Sequence, residues 1–363
     1  MPTGPRPPRA VTTVHTERLT LRPLTAHDAD DERILGWHTD PSGYELTYEP
    51  PFPDLTTASQ HLHAWVRRWE IQGIGYWIAE QNGRPVGIGG VDELQHEGTR
   101  YLNLSYRLDP TVRGSGLGRE MTRAATSFAA EWWPDLPVVA RIAPRNTPSL
   151  RTAYRAGLTD AGTWWRPHEP AGNEMTRHLQ TPVVRVDGVQ VGTSEYNELL
   201  DLWCAVIETG GSVGFERGAP RGAVKRTLDL HLDGPTTTLV RLHAATPASL
   251  ENPSVAGELL GFGFVVGLGS VARHRCTLKR VMTDPQHRGA NLGRLLMGAL
   301  HATARANDYE LVQISYRGGT GLEKFYEKCG YVETGRVPGG LRFSFGDRDD
   351  VDMTRRLDGQ PLR

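Results

Sequence analysis

The chain repeats itself. Asp109-Pro110-Thr111-Val112-Arg113-Gly114-Ser115-Gly116-Leu117-Gly118-Arg119 aligns, at an offset of 175, with Asp284-Pro285-Gln286-His287-Arg288-Gly289-Ala290-Asn291-Leu292-Gly293-Arg294, and seven of the eleven positions are identical. A second pair follows in the same order: Met175 to Leu179 against Met353 to Leu357, at an offset of 178. Two matches at nearly one offset imply two copies of one fold. They divide the 363 residues into halves of roughly 12–181 and 182–358, and Thr181-Pro182 with Val186-Asp187-Gly188 supplies turn chemistry at the boundary.

Composition narrows the function. Hydrophobic residues make up 38% and charged residues 23%, the range of soluble globular chains. With 41 Lys and Arg against 42 Asp and Glu, no global field favours nucleic acid or an anionic membrane. Cys204, Cys276 and Cys329 are odd in number and widely spaced, which argues against a disulfide framework or a zinc site, and a reduced cytoplasm is the expected location. No metal is expected. Residues 1–10 hold four prolines and no apolar run, so they read as a loose tail rather than a secretory signal. Leu259 to Ala272 is too short and too broken by glycine to span a bilayer. Of the basic residues 37 are Arg, a bias that suggests a GC-rich bacterial genome.

Periodicity gives both halves one order of elements. In the first, Val86 to Val91 and Tyr101 to Leu108 read as antiparallel strands around a polar turn at 95–100. Leu117, Met121, Ala124, Phe128 and Trp132 recur every three to four residues, an amphipathic helix that Pro134 ends. A strand at 138–142, a short helix at 149–155 and a strand at 174–179 follow. The second half gives strands at 259–266 and 277–282, a helix from Leu292 to Thr303, a strand at 310–315, a helix at 321–328 and a strand at 350–357. Each half is therefore mixed α/β.

The repeated glycine loop ends a strand and opens a helix, which turns several backbone N–H groups outward at the positive end of a helix dipole. Such a loop suits an anion. Arg119 stands where a dinucleotide fingerprint has its third glycine, and no Gly-Lys-Ser or Gly-Lys-Thr occurs, so neither a Rossmann turn nor a P-loop fits. His61 and His63 would face different ways on a helix and make no metal pair.

These residues resemble the acyl-CoA-binding motif R-x-x-G-x-G of the GNAT N-acetyltransferases, in full at Arg113, Gly116 and Gly118. The second copy has Asn291 in place of a glycine, and Asn tolerates left-handed backbone. Thr16-Glu17-Arg18-Leu19-Thr20-Leu21-Arg22, with Asn146 and Ser149, is similar to the branch that includes ribosomal-protein N-terminal acetyltransferases. The resemblance covers nearly the whole chain. It implies the α/β (α+β) class and two tandem acyl-CoA N-acyltransferase folds, each a mixed, mostly antiparallel sheet with flanking helices.

It also implies acetyl-CoA as co-substrate and an amine acceptor: a small molecule, a natural-product intermediate of secondary metabolism, or a peptide N-terminus. CoA would be held by Leu108, Arg113, Gly114, Ser115, Gly116, Leu117, Gly118, Arg119 and Asn146, and by Val281, Thr283, Arg288, Gly289, Ala290, Asn291, Leu292, Gly293 and Arg294. The acetyl group would pass directly from thioester to amine in one complex. Tyr326, four residues before Gly330, takes the family's position for protonating the departing thiolate, which favours the second half as catalytic. In the first half Ala153 holds that position, Tyr154 is displaced by one, and Ser149 is the alternative donor. Asn103 replaces the branch's usual glutamate, which leaves Glu93, Asp92 or water as base; Glu258, His274 and His231 are the second half's candidates. Trp164, Trp165, Trp203 and Phe215 are candidates to line an acceptor cleft. The fused halves fit a monomer. Three rival readings remain: a first half that catalyses beside a structural second half, a non-catalytic acyl-CoA or peptide-binding module, and a nucleotide-binding enzyme that uses the loops for ATP.

Overall fold

The computed structural model describes residues 7, 8, 11–96, 98–164, 176–211 and 213–362. The chain divides into two compact units: Met1–Val183 with Ala244–Gly257, and Val184–His243 with Glu258–Arg363. The loop 244–257, which lies in the second half of the sequence, thus packs with the first unit. Leu250 joins Tyr101 and Val139 in a small apolar cluster, and the Ala245 amide donates to Thr159 Oγ1 at 3.0 Å. A sequence repeat carries no information about where a connecting loop packs.

In the first unit the elements run β1 (Val14–His15), β2 (Thr20–Pro23), α1 (Ala26–Ala29), α2 (Glu32–Thr39), α3 (Leu55–Gln72), β3 (Tyr76–Gln81), β4 (Arg84–His96), β5 (Thr99–Leu108), α4 (Leu117–Trp132), β6 (Val138–Ile142), α5 (Thr147–Arg155), β7 (Thr159–Trp164) and β8 (Thr176–Gln180). They build an eight-stranded sheet in the order β1-β2-β3-β4-β5-β6-β8-β7. All pairs are antiparallel except β5 with β6. The β4–β5 hairpin is longer than the alternation predicts, pairing out to His96 opposite Thr99. The apolar stripe of α4 is buried throughout, with Leu117, Met121, Ala124, Phe128 and Trp132 in the main core against Leu102, Leu104 and Val138. Leu62 and Val66 of α3 and Ile34 and Leu35 of α2 meet Ile78 and Ile88 in a second core. The sequence reading places none of β1, β2, α1, α2, α3, β3 and β7, and the last carries a register shift at Asp160-Ala161-Gly162.

The second unit runs β9 (Val183–Arg185), α6 (Ser194–Glu208), α7 (Arg221–Leu232), β10 (Thr237–His243), β11 (Leu259–Gly267), β12 (Arg275–Thr283), α8 (Leu292–Ala306), β13 (Leu311–Arg317), α9 (Glu323–Glu327), β14 (Val332–Leu341) and β15 (Arg348–Arg356). Its seven-stranded sheet has the order β14-β15-β13-β12-β11-β10-β9, with β12 and β13 parallel and the pairs β10–β11, β11–β12, β13–β15 and β14–β15 antiparallel. Each unit is a mixed, mostly antiparallel sheet with flanking helices, as the sequence predicts. Trp203, Phe262 and Phe264 centre the core under α6.

Candidate active site

The parallel contact in the first sheet is short. Only Leu102–Val138 and Asn103–Val139 pair, so beyond them β5 and β6 diverge. A cleft of about 800 Å³ opens in this gap, lined by Leu104 to Arg107 of β5, Ala140 to Ile142 of β6, and Asn146, Ser149, Thr152 and Ala153 around α5. A second cleft of about 1040 Å³ lies alongside, lined by His38, Tyr44, Pro50 to Pro53, Trp65, Tyr76, Ile88 and Asn103. Glu49, Ser105, Tyr106 and Arg107 line both. The shared wall is where the contents of the two clefts would meet.

The glycine loop leads from β5 to the N-terminus of α4. Gly114 at φ 80° and Gly116 at φ 85° both need left-handed backbone, and Gly116 is the N-cap of α4 without a side-chain cap. Among the described residues the amides of Leu117, Gly118 and Arg119 have no backbone acceptor, and Arg119 is exposed with no partner. Three amides and a cation at a helix N-terminus form an anion cradle. The Thr16–Arg22 motif braces it. Thr16 Oγ1 donates to Glu120 at 2.7 Å, and Arg18 reaches both Glu120 (2.8 Å) and the Ser115 carbonyl (2.9 Å). Arg113 bends away from the cradle towards Ser42 and Asp40. Leu108 ends β5 opposite Gly87, its carbonyl 3.4 Å from Arg113 Nε.

Asn146 caps α5 by accepting from the Ser149 amide at 3.2 Å, which leaves the Ser149 hydroxyl for the cleft. That hydroxyl lies 3.4 Å from the Tyr106 hydroxyl. Gly118 makes the arrangement possible, because a Cβ there would sit 2.8 Å from the Tyr106 ring. Ser149, Asn146 and the glycine loop are therefore brought to one face. Glu93 is elsewhere, paired with Arg100 at 2.6 Å. Asp92 is buried beside Arg68, and burial raises its pKa to about 6, but it lines neither cleft. Asn103 faces the second cleft and donates from Nδ2 to the Tyr76 hydroxyl at 3.1 Å. The residues that sequence reasoning missed here are His38, Tyr44, Glu49, Tyr106 and Arg107. Their only signal was the Pro50-Pro51-Phe52-Pro53 run, which lines the second cleft beside them.

The second loop copies the first. Gly289 lies at φ 80°, and Asn291 takes φ 65°, ψ 2° where Gly116 has φ 85°, ψ 3°. Among the described residues Leu292 and Gly293 have amides without a backbone acceptor, whereas the Arg294 amide turns back to Asn291 at 3.0 Å. Arg288 is exposed, the Ala290 amide donates to His287 O, and Thr283 ends β12 opposite Gly261. Val281 sits in a β-bulge beside Arg280, itself at φ 55°. Tyr326 is buried among Tyr316, Phe325 and Tyr331, and burial raises its pKa above the usual range; its hydroxyl has no hydrogen-bond partner among the described residues. Of the proposed bases, Glu258 and His274 are exposed, and His231 is pulled down to about 4 by burial and Arg280. Trp203 is a core residue with Phe215 at 5.9 Å, not a cleft lining. Trp165 lies outside the described residues.

No cluster of three or more His, Cys, Asp or Glu that could hold a metal occurs among the described residues, and none of their helices is long and apolar enough to cross a membrane.

Comparison with known proteins follows the same division. A family model described as an acetyltransferase (GNAT) domain matches residues 18–159, and another of the same description matches 261–340. Among solved structures, the ribosomal-protein-S18-alanine N-acetyltransferase from Escherichia coli is 14% identical, covering 48% of this chain and 94% of its own, with a TM-score of 0.36. An acetyltransferase from Agrobacterium tumefaciens str. C58 is 23% identical (47% and 94%, TM-score 0.36). A GCN5-related N-acetyltransferase from Kribbella flavida is 16% identical (48% and 98%, TM-score 0.38).

Proposed function

Because this chain carries two GNAT acetyltransferase domains in tandem, we propose that it moves the acetyl group of acetyl-CoA to a primary amine, and that the first unit does the chemistry. The observation that carries this reading is the junction of two clefts at Ser105–Arg107, one lined by Tyr106, against whose ring Gly118 of the cradle packs, and the other walled by aromatic rings. The cradle amides of 117–119 with Arg119 fit the diphosphate of CoA, and the divergent edges of β5 and β6 offer unpaired backbone groups to its pantetheine arm. Acetyl-CoA supplies the activated thioester.

The chain's own groups orient and move protons. The second cleft holds the amine against the shared wall, and Glu49, on the rim of both clefts, takes the proton that the amine sheds. Ser149 with Tyr106 behind it supplies a proton to the leaving sulfur. The carbon–sulfur bond breaks as the carbon–nitrogen bond forms, and one proton passes in effect from nitrogen to sulfur. The second loop, with the same backbone, fits a second CoA.

Release of thiol from acetyl-CoA with a panel of amines tests the reading. Glu49→Gln and Ser149→Ala should each lower turnover about 100-fold, within the usual range for a proton-transfer group, while CoA affinity changes little. A second reading rests on Tyr326, a buried side chain whose hydroxyl has no hydrogen-bond partner among the described residues. Loss of turnover in Tyr326→Phe with Ser149→Ala fully active would move the chemistry to the second unit.

A further inference from the structure

The aromatic cleft of the first unit contains polar capacity that the fold itself does not use. Arg107 reaches into it partly buried, with its guanidinium 3.6 Å from the centre of the Tyr44 ring and Nη1 donating to the Gly43 carbonyl at 2.9 Å. No carboxylate lies within ion-pair distance of it among the described residues. Two other interior arginines carry carboxylates, Arg22 with Asp28 at 2.7 Å and Glu80 at 2.8 Å, and Arg241 with Glu195 at 3.0 Å and with Asp187, whereas Arg280 is held by the Val213 carbonyl and the Trp203 ring. In the same cleft His38 is buried, and its Nε2 has no hydrogen-bond partner among the described residues.

A desolvated guanidinium left without an anion is costly, and its planar fork matches a carboxylate better than any neutral group. A simple monoamine entering as ammonium would meet like charge at Arg107. Glu49, of opposite sign, lines the same cleft and, with Asp40, acts on the Arg107 guanidinium through space. The two charges are thus separated, and a molecule bearing both an amine and a carboxylate bridges them.

We propose that the acceptor is an amino acid with an apolar or aromatic side chain, its carboxylate held by Arg107 and its body by Phe52, Trp65 and Tyr76. This rests on the reading of that cleft as the acceptor site. The alternative, that Arg107 serves the CoA arm in the neighbouring cleft, makes different predictions.

Two measurements on the full chain decide it. In the first, binding of the N-acetyl derivatives of phenylalanine, leucine, methionine and glycine is compared with that of their carboxamides by calorimetry, which needs no turnover. The apolar carboxylates should bind at least tenfold more tightly than their amides, and the preference should vanish in Arg107→Gln. Arg107→Lys, which keeps the charge without the fork and serves if the glutamine variant does not fold, should retain only part of it. No binding by any of the carboxylates, equal binding of acid and amide, or a preference that survives in the variants overturns the proposal. In the second, thiol release with phenylalanine is compared with phenethylamine. Faster release with phenylalanine, with a KM that rises tenfold or more in Arg107→Gln at an unchanged KM for acetyl-CoA, supports the proposal. Equal or faster release with phenethylamine, or a raised KM for acetyl-CoA alone, overturns it while acetyl transfer stands. Should no amine release thiol, acetyl transfer fails and the binding measurement still decides the carboxylate.

Discussion

Asp109 shows how much a single carboxylate can organise. It accepts from Arg33 Nη2 at 2.8 Å, from the Trp37 indole at 3.3 Å and from the Thr111 amide at 2.9 Å, and so fixes the Asp-Pro turn from which the glycine loop departs. Burial alone would raise its pKa; the bonds from Thr111 and Arg33 outweigh that and bring it down to about 2. His38 is displaced in the direction expected of a buried imidazole. Burial, with help from the charge of Arg107, pulls its pKa from 6.5 to about 3. The unfolded chain therefore binds a proton that the folded chain refuses. The stability this represents is present above pH 6.5 and is lost as the pH falls towards 3. The slope for one such group approaches about 1.4 kcal/mol per pH unit between the two values. Denaturant melts of the wild type and His38→Gln at pH 7, 5.5 and 4 should converge as the pH falls, the variant losing less stability than the wild type. Parallel curves would mean that His38 is protonated in place.

At the scale of elements, the two loop–helix units are one device built twice. Asn291 at φ 65° is the test of that equivalence, since an asparagine pays little for left-handed backbone and glycine pays less. Asn291→Gly should leave the melting temperature within a few degrees of the wild type. Asn291→Val, with a β-branched side chain at positive φ, should cost about 1–3 kcal/mol. A tolerated valine would show that the second loop does not hold its turn. These loops, α4, α8 and the strands around them were legible because glycine spacing and a 3.6-residue apolar period speak locally. The clefts were not. Arg107 and Glu49 are 58 positions apart in sequence and meet only through the register of β5 and the path of the 44–53 loop, for which no local pattern codes. Asn146 was legible by its spacing from Ser149, but its capping bond, and the freedom that gives the serine hydroxyl, needed the backbone. Trp203 misled, because an indole suits a core as well as a cleft and α6 has no flanking motif to tell them apart.

For the whole molecule the duplication is clear while the division of labour has to be argued from side chains. The segment 244–257 leaves the second sheet at β10, contributes Leu250 to the first unit, and returns to β11. The first unit is therefore incomplete without chain from the second half of the sequence. Leu250→Ala in the full chain should destabilise the first unit by about 2–3 kcal/mol, at the low end for a buried leucine because the cluster is small. Hydrogen exchange resolves it: amides of β5 and β6 should open sooner while those of β12 and β13 keep their rates. Equal loss in both units would mean that they unfold as one.

The central claim is that the amides of Leu117, Gly118 and Arg119 hold the diphosphate of acetyl-CoA, with its arm between β5 and β6. A crystal structure of the full chain grown with CoA tests this directly. The account predicts diphosphate density within hydrogen-bond distance of those amides and the thiol end beside Ser149 and Tyr106. A filled second loop with an empty gap between β5 and β6, or CoA bound away from both cradles, would contradict it.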